Sequence, residues 1–314
     1  MRIMRGRFAP SPTGEIHLGN VWTALLAWLQ VRSAGGIMVL RMEDLDPERS
    51  RQSYADRLMA DMQWLGLDWD EGPDIGGPYA PYCQGQRREL YQAALERLEA
   101  AGMVYPCYCT RAELAASAPH AGETERVYPG VCRQRKLDNA FKAARRPALR
   151  LAVPPGQYSF TDVQAGFVSQ DLSQEVGDFV IRRSDGVHAY QLAVVVDDAA
   201  MDITHVLRGY DLLSSTPRQL LLYRLLGQRA PVFTHVPLLI APDGHRLSKR
   251  QQALSIAALR AQGVTAEAII GYLAFKANLI DVPQPVRAAE LIPSFDMTKL
   301  QADSVIIDSR EICR

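Results

Sequence analysis

The stretch FAPSPTGEIHLGN, from Phe8 to Asn20, sets prolines, glycines and a histidine directly before an apolar helical pattern. A turn that opens into a helix offers free backbone N–H groups and the positive end of the helix dipole to an anion. Glycine lets the backbone approach that anion closely, and His17 adds a side-chain donor for a phosphate oxygen. Gly14 and Gly19 have the spacing of half a P-loop, but Asn20 stands where that motif needs lysine, and GxGxxG is absent. The spacing therefore points to a nucleotide site of another kind, or to a structural turn that carries a surface histidine. Far along the chain, HRLSKR brings Arg246, Lys249 and Arg250 into one loop. Such a run can neutralise a triphosphate; read alone, it is more simply a solvated basic loop. A third group is the thiols of Cys107, Cys109 and Cys132, gathered in one irregular segment. They suggest a structural zinc, which wants four ligands. His120 is the chemically ordinary fourth, and three buried reduced cysteines are the alternative. Cys83 and Cys313 are isolated.

These groups need elements to hold them. Residues 3–9 read as a short strand and Pro10 to Gly19 as a turn. Asn20 reads as the cap of a helix whose apolar face carries Val21, Leu25, Leu26, Trp28 and Leu29, ended by Gly35-Gly36. IMVLRMED is then a buried strand ending in acidic residues. The resulting βαβ unit predicts a parallel sheet with ligands near the strand ends. Residues 50–66 and 86–102 have helical periodicity, the second closed by Gly102. From Cys107 to about Arg183 the pattern turns irregular, with cysteines, a basic run and short alternating strands, as in an insertion. AYQLAVVVDDAAMDITHVLRG returns to buried-strand character. STPRQLLLYRLLG is a helix with Pro217 near its first turn, HVPLLI a strand, APDGHRLSKR a loop, and the remainder short helices.

The chain has 314 residues, 47% apolar and 22% charged, with a formal net charge of zero. It is no polycation, so nucleic-acid contact requires a local patch. RQRKLDNAFKAARRPALR, with seven basic residues and one acidic, is such a patch or simply a solvated helical face. No apolar run reaches the roughly 20 residues of a spanning helix, and MRIMRGRFAP lacks the apolar core of a signal peptide. Five cysteines, an odd and low number, argue against a secreted disulfide framework. A cytoplasmic protein without membrane contact is expected.

Taken together, HLGN and RLSKR resemble the paired HIGH and KMSKS signatures of class I aminoacyl-tRNA synthetases. RFAPSPTGEIHLGN, LRMEDLDPERS, YQLAVVVDDAAMDITHVLRGYDLLSSTPRQ and LSKR, in that order over residues 5–250, are similar to the glutamyl branch. Two positions depart: Asn20 replaces the final histidine of HIGH, and Arg246 the first lysine of KMSKS. The resemblance implies an α/β fold, a Rossmann-type catalytic domain with a zinc-binding insertion and a short helical C-terminal stem. On this reading residues 1–105 and 186–250 form the two catalytic halves, 106–185 the insertion, which would also bind the acceptor, and 251–314 the stem.

The resemblance further implies that glutamate is activated by ATP with Mg²⁺. Thr13, His17, Gly19, Asn20, Arg246, Ser248 and Lys249 would seat ATP, His17 and Lys249 meeting charge on the phosphates. Arg7, Phe8, Ala9, Pro10, Ser11, Glu43, Tyr190 and Arg208 would form the L-glutamate pocket. Its two arginines suit carboxylates, which guanidinium binds bidentately, and Glu43 suits the ammonium. The family's C-x-C…Y-x3-C arrangement would place Zn²⁺ on Cys107, Cys109, Tyr128 and Cys132, making Tyr128 the rival of His120.

Only 64 residues follow Arg250, too few for a large anticodon-binding region. This is the build of the short paralogue family, the glutamyl-queuosine tRNA(Asp) synthetases. It implies transfer of glutamate to the cyclopentenediol of queuosine on the anticodon stem-loop of tRNA(Asp), by a monomer. Three alternatives stay open: a short synthetase charging the 3′ end of tRNA(Glu), an inactive zinc-stabilised RNA-binding module, and a small-molecule adenylate-forming ligase.

Overall fold

The computed structural model describes residues 2–110, 113–114, 127–134, 146–242, 244, 254–301 and 303–312. His120, Arg246, Ser248 and Lys249, and most of the basic run after Cys132, lie outside the described residues.

β1 (Arg5–Phe8), α1 (Leu18–Ser33) and β2 (Ile37–Leu40) form the expected βαβ unit, with Arg5 opposite Ile37 and Phe8 opposite Leu40 in parallel register. The apolar face of α1 is buried along Val21, Leu25, Leu26, Trp28 and Leu29. Gly6 lets this helix lie directly on the strand: a Cβ at that position would stand 2.3 Å from Cγ2 of Val31. α2 (Gln52–Trp64) and α3 (Arg88–Ala100) follow. β3 (Val104–Cys107), β4 (Ala148–Leu151) and β7 (Phe179–Arg182) make an antiparallel sheet in the order β3-β4-β7. Between the last two, β5 (Gln157–Asp162) and β6 (Gly166–Asp171) form a hairpin.

The chain then runs through α4 (Tyr190–Ala200), β8 (His205–Gly209), α5 (Thr216–Leu225) with Pro217 in its first turn, and β9 (Val232–Val236). β10 (Leu239–Ile240), α6 (Ile256–Ala261), α7 (Ala266–Lys276) and β11 (Val305–Ile306) complete it, β11 pairing parallel with β10. Two sequence expectations are corrected. The first half of AYQLAVVVDDAAMDITHVLRG is the helix α4 and only its end is a strand, because an unbroken apolar run has no period to separate a buried helix from a buried strand. HVPLLI splits at Pro237, which has no N–H to continue a ladder.

The central array is parallel. β2 is flanked by Glu71, whose carbonyl accepts from Leu40 N–H at 2.8 Å, and by β1. On the other side of β1, Thr204 N–H donates to Arg5 C=O at 2.9 Å and Thr204 Oγ1 accepts from Arg5 N–H at 2.8 Å, bringing β8 alongside. β9 pairs with β8 in parallel register. The chain thus leaves β1 to one side and returns to the other. The crevice at the carboxyl ends of β1 and β8 is a topological switch point, where open α/β sheets bind ligands.

One apolar core joins α1 and α2 to α6 and α7 through Leu18, Leu25, Leu259, Ile270 and Leu273. The other joins α3, α4 and α5 to β4 and β7 through Leu95, Leu192, Leu222, Leu151 and Ile181. Each such side chain contributes about 1.5–3 kcal/mol on burial, so the C-terminal helices and the antiparallel sheet are both fastened to the parallel array. Among the described residues no helix is long and apolar enough to cross a membrane.

Candidate functional site

His17, not Asn20, caps α1. Its Nδ1 accepts from Gly19 N–H at 3.1 Å, while Oδ1 of Asn20, at the third helical position, accepts from His17 N–H at 3.1 Å. This reciprocal pair is a capping box, and it gives Asn20 a structural task at the position where it departs from the HIGH pattern. Gly19 is needed for this contact, since a Cβ there would lie 3.0 Å from the imidazole. With Nδ1 engaged as acceptor, Nε2 carries the ring proton.

His17, Gly19, Asn20 and Thr23 face Gly209, Asp211 and Leu239 across a cleft of about 310 Å³ at the switch point. Thr13 lies in the preceding turn, its N–H donating to Ser11 C=O at 2.8 Å. The chain that follows the LSKR stretch is pinned to the same place. Ser255 pairs with His17, and Ile256 N–H donates to Ile16 C=O at 3.0 Å.

The expected amino-acid pocket lies beside this cleft. Beyond the strand ends the ladder continues: Arg41 N–H donates to Phe8 C=O at 3.0 Å and Glu43 N–H to Pro10 C=O at 2.9 Å. These bonds bring Glu43 alongside the Phe8-Ala9-Pro10 backbone, while Ser11 stands exposed at the turn. Arg7 is buried, with Nη1 on Leu207 C=O at 3.3 Å and Nε 3.5 Å from Asp198. Arg208 is equally buried. Its Nε donates to Nε2 of His235 at 2.9 Å and its Nη2 to Oγ1 of Thr216 at 2.8 Å, whereas Nη1 has no hydrogen-bond partner.

Tyr190 opens α4, where burial raises its phenol pKa and Arg208, Glu43, Arg7 and Asp198 all reach it electrostatically. Burial also raises Glu43 against the pull of Arg41 and Arg7. For Asp198 burial works the same way but loses: Arg41, Arg7 and Arg208 hold its carboxyl below the usual range. The result is a cluster of buried guanidinium groups and carboxylates at the strand ends.

Cys107, Cys109 and Cys132 come together, their sulfurs within 4.8 Å of one another. Sγ of Cys109 and Cys132 are 3.4 Å apart, and the Tyr128 hydroxyl lies 3.5 Å from Cys107 and 3.4 Å from Cys109. Tetrahedral zinc–thiolate sites have ligand separations of about 3.8 Å, so the donor set fits the ion in both chemistry and spacing. The guanidinium of Arg150 lies 3.7 Å over the Tyr128 ring. Burial resists ionisation of Cys107, but hydrogen bonds from Tyr128 and Arg150 outweigh it and lower its pKa. Among the described residues, Tyr128 is the expected fourth ligand that lies at the cysteines.

Sequence reasoning missed Arg41, Asp198, Thr216, His235 and Asp162. Two adjacent aspartates inside the apolar run AVVVDDAAM were a signal for buried charge, and Arg41 and Thr216 sit in the blocks LRMEDLDPERS and SSTPRQ, whereas nothing local marked His235 and Asp162.

The family model for the catalytic domain of class I tRNA synthetases (E and Q) matches residues 3–312. A curated relative from Symbiobacterium thermophilum, named glutamyl-Q tRNA(Asp) synthetase, is 54% identical over 98% of this chain and 97% of its own length. One of the same name from Nitratidesulfovibrio vulgaris is 56% identical over 88% of this chain and 87% of its own length. Among solved structures, the glutamate-tRNA synthetase from Elizabethkingia anophelis superposes with a TM-score of 0.86 at 30% identity, covering 99% of this chain and 69% of that one.

Proposed function

The chain belongs to the class I tRNA synthetases of the glutamate and glutamine type, and from that premise we propose that it activates glutamate with ATP and transfers it to queuosine in tRNA(Asp). The likeness to glutamyl-Q tRNA(Asp) synthetases over almost their whole length supports this acceptor. The observation that carries the amino-acid specificity is the pair Arg7 and Arg208, both buried, with Nη1 of Arg208 left without a hydrogen-bond partner. A buried donor of that kind calls for an anion.

In this reading Arg208 and Arg7 take the side-chain carboxylate of glutamate, with Tyr190 against them. Glu43 takes its ammonium, and Ser11 and the Phe8-Ala9-Pro10 backbone line the wall. The α-carboxylate is thereby aimed at the neighbouring cleft. Thr13, Gly19 and the amino end of α1, which Asn20 locks, seat ATP, and Nε2–H of His17 donates to a phosphate oxygen. Arg246, Ser248 and Lys249 belong to this function as the second phosphate-binding group. Attack of the α-carboxylate on the α-phosphorus gives glutamyl-adenylate and releases pyrophosphate. A cyclopentenediol hydroxyl of queuosine then attacks the activated carbonyl, and AMP leaves. Catalysis here is positioning and charge stabilisation. Mg²⁺ bound with ATP screens the phosphate charge, and Asp211 is a carboxylate in the cleft suited to it. Cys107, Cys109, Tyr128 and Cys132 hold a structural Zn²⁺, and the enzyme works as a monomer in the cytoplasm.

The test supplies radiolabelled glutamate, ATP and tRNA(Asp) with or without queuosine, followed by nuclease digestion. Label on the wobble nucleoside of the queuosine-containing sample alone is the expected result. Label on the terminal adenosine, or only with tRNA(Glu), would make the protein a charging enzyme instead.

A further inference from the structure

Behind Arg208 lies a chain of polar groups that the reaction does not itself require. His235, at the fourth position of β9, is fully buried. Its Nδ1 meets Oδ2 of Asp162 at 2.7 Å, and its Nε2 meets Nε of Arg208 at 2.9 Å. Asp162, the last residue of β5, is buried too. Its Oδ1 accepts backbone N–H bonds from His235 at 3.1 Å, Gln164 at 3.0 Å and Ala165 at 2.9 Å. A carboxylate so occupied is an acceptor and not a donor, so the imidazole proton must sit on Nδ1. Nε2 is then a lone pair aimed at the guanidinium. Phe233 stacks on the imidazole with ring centroids 6.2 Å apart and lies under Arg208 at 5.3 Å, so the ring has little room to turn.

We infer that His235 and Asp162 are positioning residues that set the affinity for glutamate. The carboxylate of Asp162 fixes the imidazole tautomer, and His235 and Thr216 fix two of the three guanidinium nitrogens, which leaves Nη1 of Arg208 as the donor offered to the substrate. The contact with Nε of Arg208 requires a hydrogen-bond acceptor at this place. A protonated imidazole would present N–H to N–H and place one cation against another. Burial lowers the His235 pKa, and Arg208 adds to that effect against the opposing pull of Asp162, so the neutral form persists at physiological pH. Asp162 closes the β5–β6 hairpin, so this part of the chain has a stake in amino-acid recognition.

The inference rests on the glutamate-activating reading, and its test separates the two. Glutamine at position 235 can keep an acceptor near Nε2, while asparagine reaches only the Nδ1 side and abandons Arg208. In glutamate-dependent ATP–pyrophosphate exchange, His235→Asn should raise the glutamate KM about tenfold or more, the worth of one hydrogen bond to a charged group. The ATP KM should stay within about twofold, and His235→Gln should recover most of the loss. Equal rises in both KM values, or no difference between the Asn and Gln variants, would overturn the inference while leaving the activity standing. An inactive wild-type protein would instead overturn the function. Should neither variant fold, ¹⁵N-histidine NMR of the wild-type protein decides: His235 in the Nδ1–H form, with its Nε2 resonance moved by glutamate, is expected. The Nε2–H form would refute the relay.

Discussion

Nη1 of Arg41 lies 2.7 Å from Oδ1 of Asp198, with both side chains almost wholly shut off from solvent. The same guanidinium reaches Glu43 at 3.1 Å and Asp197 at 3.7 Å. It therefore ties the end of β2 to α4. Asp198→Ala would leave Arg41 and Arg7 without their shared carboxylate. Removing one partner of a buried pair typically costs about 3–5 kcal/mol. Urea unfolding should show a loss of that order, and a midpoint unchanged from wild type would refute the pairing.

Arg208→Lys keeps the charge but surrenders the planar fork and the contact with His235. Loss of charge-assisted bonds worth about 1.5–3 kcal/mol predicts a rise of roughly 10- to 100-fold in the glutamate KM. The ATP KM serves as the internal control, and an equal rise in both would place Arg208 outside the pocket.

Gly19→Ala would press a methyl group onto the His17 ring and break the capping box. Pyrophosphate exchange should fall with the ATP KM rising by about tenfold or more, the effect of about 1.4 kcal/mol. Thermal stability should drop only slightly, since a lost cap costs about 1 kcal/mol. Wild-type kinetics in this variant would show that the imidazole is not part of the cradle.

Chelation offers a fourth test. If Cys107, Cys109, Tyr128 and Cys132 hold zinc, metal analysis should return about one zinc per chain, and a strong chelator should lower the melting temperature by several degrees. Cys132→Ser should melt at the chelated value with or without chelator. Zinc-free protein that melts unchanged would mean that the thiols are simply reduced and buried.

The histidines set a pH dependence. Burial lowers the pKa values of His188, His205 and His235, with Arg182 and Arg88 adding at His188. Below the ordinary value near 6.5 the unfolded chain takes up protons that the folded chain refuses, so stability falls as pH falls. Each such group contributes up to about 1.4 kcal/mol per pH unit within its window. Glu43 and Asp61, raised by burial, act in the opposite sense, beginning above the ordinary carboxylate range, and are outnumbered by the three histidines. The urea midpoint at pH 5.5 should therefore lie below that at pH 7.5. A flat or rising profile on acidification would contradict the neutral burial of these rings.

The local elements were legible in the sequence because each depends on neighbours in the chain. The turn before α1, the apolar face of that helix and the βαβ unit follow from glycine, proline and period alone. The HLGN and LSKR stretches carried the resemblance for the same reason, being contiguous. What the chain could not reveal by itself is long-range pairing. His17 displaced Asn20 as the helix cap through a geometry in which both side chains fold back on the backbone. α4 reads like a strand in the sequence because its apolar run is buried on nearly every side, and burial erases periodicity. Tyr128 reaches the cysteine cluster only through tertiary packing, its hydroxyl 3.5 Å from Cys107 and its ring beneath Arg150, while His120 lies outside the described residues. Above all, Arg208 stood in a legible block, but His235 and Asp162 behind it lie far away along the chain and carry no local pattern. Only the packing of β5, β8 and β9 sets them in line, because hydrogen bonds answer to distance in space and not to distance in sequence.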